Sequence, residues 1–194
     1  MKQRKGLQDL RNSMQTLTTY ERCDFIVTSF GGKVKKGKVL SMNDEKRICL
    51  LDLNYTLVGN QMQTRMLRPF SRRMEQEEYR TDLIEAIKDD YVIIVTARPN
   101  YQQAETMANV LKKTGWKPAE VYFNDINGEP PAFKESALKR FIFPKYGTDG
   151  SRYYAVESNP KTRAMYAKYG IEAEPYSEFI KKVNGGGNNQ LSFL

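Results

Sequence analysis

Two short apolar runs, Ile48–Leu51 and Val92–Val95, constrain this chain more than any other feature. Neither alternates with polar residues, so each suits a strand buried on both faces of a parallel sheet. Each stops at a polar residue, Asp52 or Thr96. Further strands are expected at Ala119–Phe123, Arg152–Val156 and Ile171–Glu174. Helical spacing lies between them. Met74–Asp90 reads as one helix with Leu83, Ile84 and Ile87 inward. Tyr101–Thr114 reads as a second, with Ala104, Met107, Ala108 and Leu111 on one face and Gly115 ending it. Lys134 opens a third helix through about Phe141, Pro160 starts a fourth that closes at Gly170, and Tyr176–Val183 is the last. This alternation predicts an α/β chain with a doubly wound, mostly parallel, five-stranded sheet.

Open sheets of this kind bind ligands outside the carboxyl ends of their strands. Asp52, Asn54 and Thr56 fall at alternate positions there. A carboxylate in that place can act as a nucleophile or metal ligand, and an ordinary Asp/Asn turn is the plain alternative. Glu157 follows the fourth strand in the same way. The chain has no histidine, which removes His-based triads, His-ligated zinc and imidazole bases. The segment Val58–Arg73 has no clean periodicity but carries Arg65, Arg68, Arg72 and Arg73. These guanidiniums either guide an anionic substrate or belong to a solvated loop.

Residues 1–45 form an extension: one amphipathic helix over 1–22, then a hairpin with a lysine cluster at Lys33, Lys35, Lys36 and Lys38. The formal net charge of +8 favours a polyanionic partner, with a merely soluble basic surface as the alternative. Two cysteines make neither a disulfide framework nor a metal cluster, which places the chain in a reducing, cytoplasmic setting. No apolar run is long enough to span a bilayer, so no membrane is expected. Asn184–Asn189 is Gly/Asn-rich and reads as the linker of a flexible tail over 184–194.

The stretch Asp52, Thr56 and Leu57, after its apolar strand, resembles motif I of the haloacid dehalogenase (HAD) superfamily, with Asn54 where most of its phosphatases carry a second Asp. Thr96, Lys134 and Glu157 resemble motifs II, III and IV in family order. The resemblance covers about residues 46–183 and implies a Rossmann-like core. It also implies a Mg²⁺-dependent phosphatase working through an aspartyl-phosphate. Asp52 would then be the nucleophile, and Asp52, the Asn54 carbonyl and Glu157 the metal ligands. Thr96 and Arg98 would hold phosphate, with Arg65 and Arg68 on a flap, and Lys134 would offset negative charge. Asn54 cannot supply the usual acid–base proton, and motif IV lacks its second acid, Ser158 standing there instead. No segment is long enough for a cap domain, so a large substrate is expected. The arrangement is similar to the phosphatase half of polynucleotide kinase-phosphatases, which points to phosphorylated nucleic-acid ends or nucleotides. A catalytically impaired binding domain and a phosphoprotein phosphatase are the alternatives. Gln190–Leu194, QLSFL, resembles the peptide by which bacterial repair proteins bind the sliding clamp, with its last two apolar residues swapped. It would otherwise pack on the chain's own surface or form a disordered end.

Overall fold

A computed structural model describes residues 46–186. The expected helix and hairpin of residues 1–45, and the clamp-like peptide Gln190–Leu194, lie outside the described residues.

Five strands form one sheet in the order β3-β2-β1-β4-β5, and every pair is parallel. They are β1 (Ile48–Leu51), β2 (Tyr91–Pro99), β3 (Glu120–Asn124), β4 (Tyr153–Val156) and β5 (Glu172–Glu174). β1 is central, and all four of its residues are buried. Ile48 and Leu50 face one core with Ile93 and Val95. Cys49 and Leu51 face the other with Val92 and Ile94. A strand enclosed this way has no solvent face on which to place polar residues, hence its unbroken apolar run.

Helices cover both faces. After β1 come α1 (Gln61–Thr64), α2 (Phe70–Gln76) and α3 (Thr81–Ile87). After β2 comes α4 (Gln103–Thr114), and after β3 come α5 (Pro130–Ala137) and α6 (Phe143–Tyr146). Then α7 (Pro160–Ala167) joins β4 to β5, and α8 (Tyr176–Gly186) follows β5. Phe133, Ala137, Phe143, Met165 and Tyr166 of α5, α6 and α7 fill the first core. Leu83, Ile84 and Ile87 of α3, with Phe179 and Ile180 of α8, fill the second. No helix among the described residues is long and apolar enough to cross a membrane.

Four sequence expectations change. Met74–Asp90 is two helices, α2 and α3, broken at Glu77–Arg80. Those residues exchange helical bonding for pairing with the chain after β1. Val58 bridges Tyr79, the Gly59 N–H donates to Glu78 O at 2.8 Å, and the Arg80 N–H donates to Leu57 O at 2.9 Å. The buried residues of α4 are Thr106 and Val110, while Ala104 and Ala108 are exposed and Leu111 is 50% exposed. Thr106 takes the buried side to meet the Arg98 guanidinium, and of the expected stripe Met107 alone packs against the core. Met107 also lines, with Ala108 and Leu111, an open groove of about 740 Å³ beside β3. Lys134 lies well inside α5, which starts with Pro130 and Pro131, so no helix-dipole penalty falls on it. Finally, α8 runs through Gly186, into the stretch read as linker.

One close approach ties the β4 and β5 connections together. A Cβ on Gly150 would meet the Tyr169 carbonyl oxygen at 2.0 Å and the Gly170 carbonyl carbon at 2.6 Å. Both obstacles are backbone. Gly150→Ala is therefore expected to cost about 3 kcal/mol, the upper end for over-packing. Gly185→Ala, where nothing lies within 4 Å, should stay within about 0.5 kcal/mol of the parent. Urea unfolding of both variants measures the contrast.

Candidate active site

The strand order reverses at β1: the chain builds β2 and β3 to one side and β4 and β5 to the other. The crevice between β1 and β4 is the topological switch point where such sheets bind ligands. Asp52 follows β1 and Glu157 follows β4, so both carboxylates reach this crevice. Their backbones continue the ladder, since the Asp52 N–H donates to Val156 O at 3.0 Å and the Glu157 N–H to Glu174 O at 2.8 Å.

Lys134 closes the gap from α5. Its ammonium donates to Asp52 Oδ1 and to Glu157 Oε2, each at 2.6 Å, and the side chain is 1% exposed. Burial alone pulls a lysine towards its neutral form, but the Asp52 and Glu157 charges outweigh it and raise the Lys134 pKa. Burial, and then the Asp52 charge, push Glu157 up to about 7 against the pull of Lys134.

The second Asp52 oxygen, Oδ2, accepts from Thr56 Oγ1 and Ser158 Oγ, both at 2.9 Å. Ser158 Oγ also lies 3.1 Å from the Asn54 carbonyl oxygen. Thr56 arrives through a turn, not a continued strand, because Tyr55 takes a left-handed conformation. A serine hydroxyl has one proton and cannot donate to both Asp52 and Asn54. Three oxygens therefore converge with too few protons between them. Such a set fits a hard divalent cation like Mg²⁺. Asp52, the Asn54 carbonyl and Ser158 would hold it, with Glu157 beside them. No group of three or more His, Cys, Asp or Glu side chains gathers for a metal among the described residues.

Asn54 turns its side-chain oxygen inward. Oδ1 accepts from Arg98 Nε at 2.8 Å and lies 3.4 Å from an Arg73 Nη2 donor. Sequence reasoning made Arg98 an anion contact, yet it is 2% exposed and committed to the interior. Its Nη2 donates to Glu77 Oε1 at 2.6 Å, and its Nη1 meets Thr106 Oγ1 at 3.3 Å. A buried guanidinium needs this carboxylate, which is why Glu77 breaks the helix and is itself fully buried. Thr96 is also buried, and its hydroxyl accepts the Arg98 backbone N–H at 3.2 Å. Arg65 and Arg68 are exposed on the excursion, Arg68 donating to the Arg65 and Leu67 carbonyls. Glu77 and Ser158 are the participants that sequence reasoning missed. Glu77 gives no signal within a helical stretch, whereas Ser158 was visible only as an acid that is lacking.

Similar solved structures share this architecture. A chain of the Pnkp1/Rnl/Hen1 RNA repair complex superposes with a TM-score of 0.53 at 15% identity, covering 70% of this chain and 45% of that one. A chain of another Pnkp1/Rnl/Hen1 complex structure gives 0.52 at 14%, covering 86% and 60%. What these two share with this chain is the fold, at identities too low to show a common family. Apo phosphoserine phosphatase gives a TM-score of 0.42 at 12% identity over 73% of this chain and 98% of that one. The chain spans roughly half the length of the two Pnkp1/Rnl/Hen1 chains. No protein-family model and no curated protein matches its sequence.

Removing the bridging ammonium leaves two buried carboxylates face to face. Lys134→Met is expected to cost about 3–5 kcal/mol. Burial and the Asp52 charge already raise the Glu157 pKa, and without the ammonium that opposes them it rises further, so folding retains a proton that the unfolded chain releases. The loss should therefore grow as pH rises from 5 to 8 and shrink in the Lys134→Met, Glu157→Gln double variant. Thermal unfolding in EDTA across that range tests this.

Proposed function

We propose that this chain is a HAD-like phosphomonoesterase acting through Asp52. The observation that carries the reading is the Lys134 ammonium held 2.6 Å from both Asp52 and Glu157 at the switch point. In this reading a carboxylate oxygen of Asp52 attacks phosphorus. The substrate's alkoxide leaves, and water then hydrolyses the aspartyl-phosphate to regenerate Asp52. Thr56 and Ser158 fix the carboxylate through Oδ2. Lys134 offsets the charge of the attacking group and of the transferred oxygens. Asn54 has its oxygen occupied by arginines, and its amide N–H donors would serve an incoming oxygen. Bound Mg²⁺ would supply further neutralisation of the phosphoryl oxygens.

A phosphorylated nucleic-acid end or nucleotide is the substrate class that fits best. The excursion over residues 60–77 is two short helices, not a cap domain, so the site stays open to a large molecule. Arg65, Arg68 and Arg72 are exposed on it, and the net charge is +8. Similarity to chains from an RNA repair complex agrees with this choice. Asn54 favours a second reading, a binding domain of impaired turnover, because an amide cannot transfer a proton at neutral pH.

Asp52→Asn is expected to abolish release of phosphate from 3′-phosphorylated oligonucleotides in Mg²⁺ while leaving the circular dichroism spectrum unchanged. A parent protein that releases no phosphate from oligonucleotides, nucleotides or phosphopeptides would favour the binding reading. Asn54→Asp should raise turnover on alkyl phosphates about 10²-fold or more, and on aryl phosphates less. The flanking guanidiniums would hold a carboxyl at position 54 ionised, so the gain should increase as pH falls. Initial rates at several pH values read this directly.

A further inference from the structure

Exposed apolar side chains concentrate on one end of the molecule. Among the described residues, Tyr55, Met62, Met66, Tyr101 and Ile126 follow the carboxyl ends of β1, β2 and β3, while Leu111 and Val183 lie elsewhere. Two of these are aromatic. Tyr101 is 84% exposed in a 3₁₀ turn immediately after β2. Tyr55 is 40% exposed between Asn54 and Thr56, the residues that surround Asp52. Phe70 differs, since its ring lies under the Arg73 and Arg98 guanidiniums.

Tyr55 is also strained. Its φ of 63° is the left-handed region, unfavourable for a residue with a Cβ. Arg80 locks the turn by donating from Nη1 to the Tyr55 carbonyl at 2.9 Å and the Thr56 carbonyl at 2.6 Å. Glycine would satisfy this backbone without strain. The chain instead carries a large ring there, half out in solvent, beside the reacting carboxylate. Strain kept at a site signals a use for the side chain.

We propose that Tyr55 and Tyr101 are the specificity-determining surface of the site, stacking on the unpaired terminal bases of a single-stranded nucleic acid whose phosphate lies at Asp52. This rests on the phosphomonoesterase reading for the position of the phosphate. Every base has a π-face, so tyrosines grip a strand without reading its sequence, and Arg65 and Arg68 suit the neighbouring backbone phosphates. A duplex end hides its base faces in the helical stack, and a phosphopeptide offers no regular succession of planar groups.

The test is fluorescence anisotropy with EDTA present, using a 3′-phosphorylated single strand, the same strand in a blunt duplex, and a phosphopeptide of equal charge. The parent should bind the single strand at least tenfold tighter than the other two. Tyr101→Ala and Tyr55→Gly should each weaken single-strand binding about tenfold, with little change for the duplex. Tyr55→Gly should also unfold about 2–4 °C higher, which a merely structural tyrosine would not do. Unchanged single-strand affinity in both variants, or equal binding of duplex or phosphopeptide, overturns the proposal. A parent that discriminates through these tyrosines yet hydrolyses no phosphomonoester would refute the enzymatic reading alone. One that hydrolyses small phosphomonoesters but binds strands independently of both rings would refute this proposal alone.

Discussion

A single ammonium group, buried between two carboxylates, is the constraint on which this structure depends. Charges of like sign cannot share a dry crevice, so Asp52 and Glu157 sit together only because Lys134 lies between them. That requirement reaches back into the fold. α5 must cross one face of the sheet at the height that delivers Lys134, and Phe133 and Ala137 on the same helix anchor it in the apolar core. Packing and electrostatics are thus set by neighbouring residues of one short helix.

A second buried charge organises the other side of the site. Arg98 leaves β2 into the interior and is met by Glu77, Thr106 and Asn54. Through Glu77 it fixes where α2 ends, and through Thr106 it decides which side of α4 is buried. Through Asn54 it orients the amide beside Asp52. The excursion after β1, the helix after β2 and the loop that follows Asp52 are therefore coupled through one guanidinium.

The parts legible in the sequence are those governed by local pattern. Ile48–Leu51 and Val92–Val95 announced enclosed strands, and the polar residues closing them announced the ligand end of the sheet. What escaped was governed by distant partners. Glu77 sits in a stretch with good helical spacing, and nothing nearby reveals that a residue across the sheet will bury it. The stripe Ala104, Met107, Ala108 and Leu111 is a sound amphipathic pattern, but only Met107 packs on the core, because Thr106 turns inward to Arg98 with Val110 beside it. Lys134 was legible as a charge near the site, but its helix begins earlier, at Pro130, than the lysine itself suggested.

The excursion over residues 60–77 closes where Val58 bridges Tyr79 and Gly59 pairs with Glu78, and its second half, α2, is tied to the core through Met74 and Glu77. The stretch between α1 and α2 is largely exposed, so its length is uncoupled from the sheet below. Doubling a flexible loop costs only about 0.6 kcal/mol in closure entropy. The tip around Met62–Arg68 is thus a place where the chain can acquire a lid, or lose one, without disturbing the strands that hold Asp52. A change in what the site admits would then require growth at one loop and no redesign of the core.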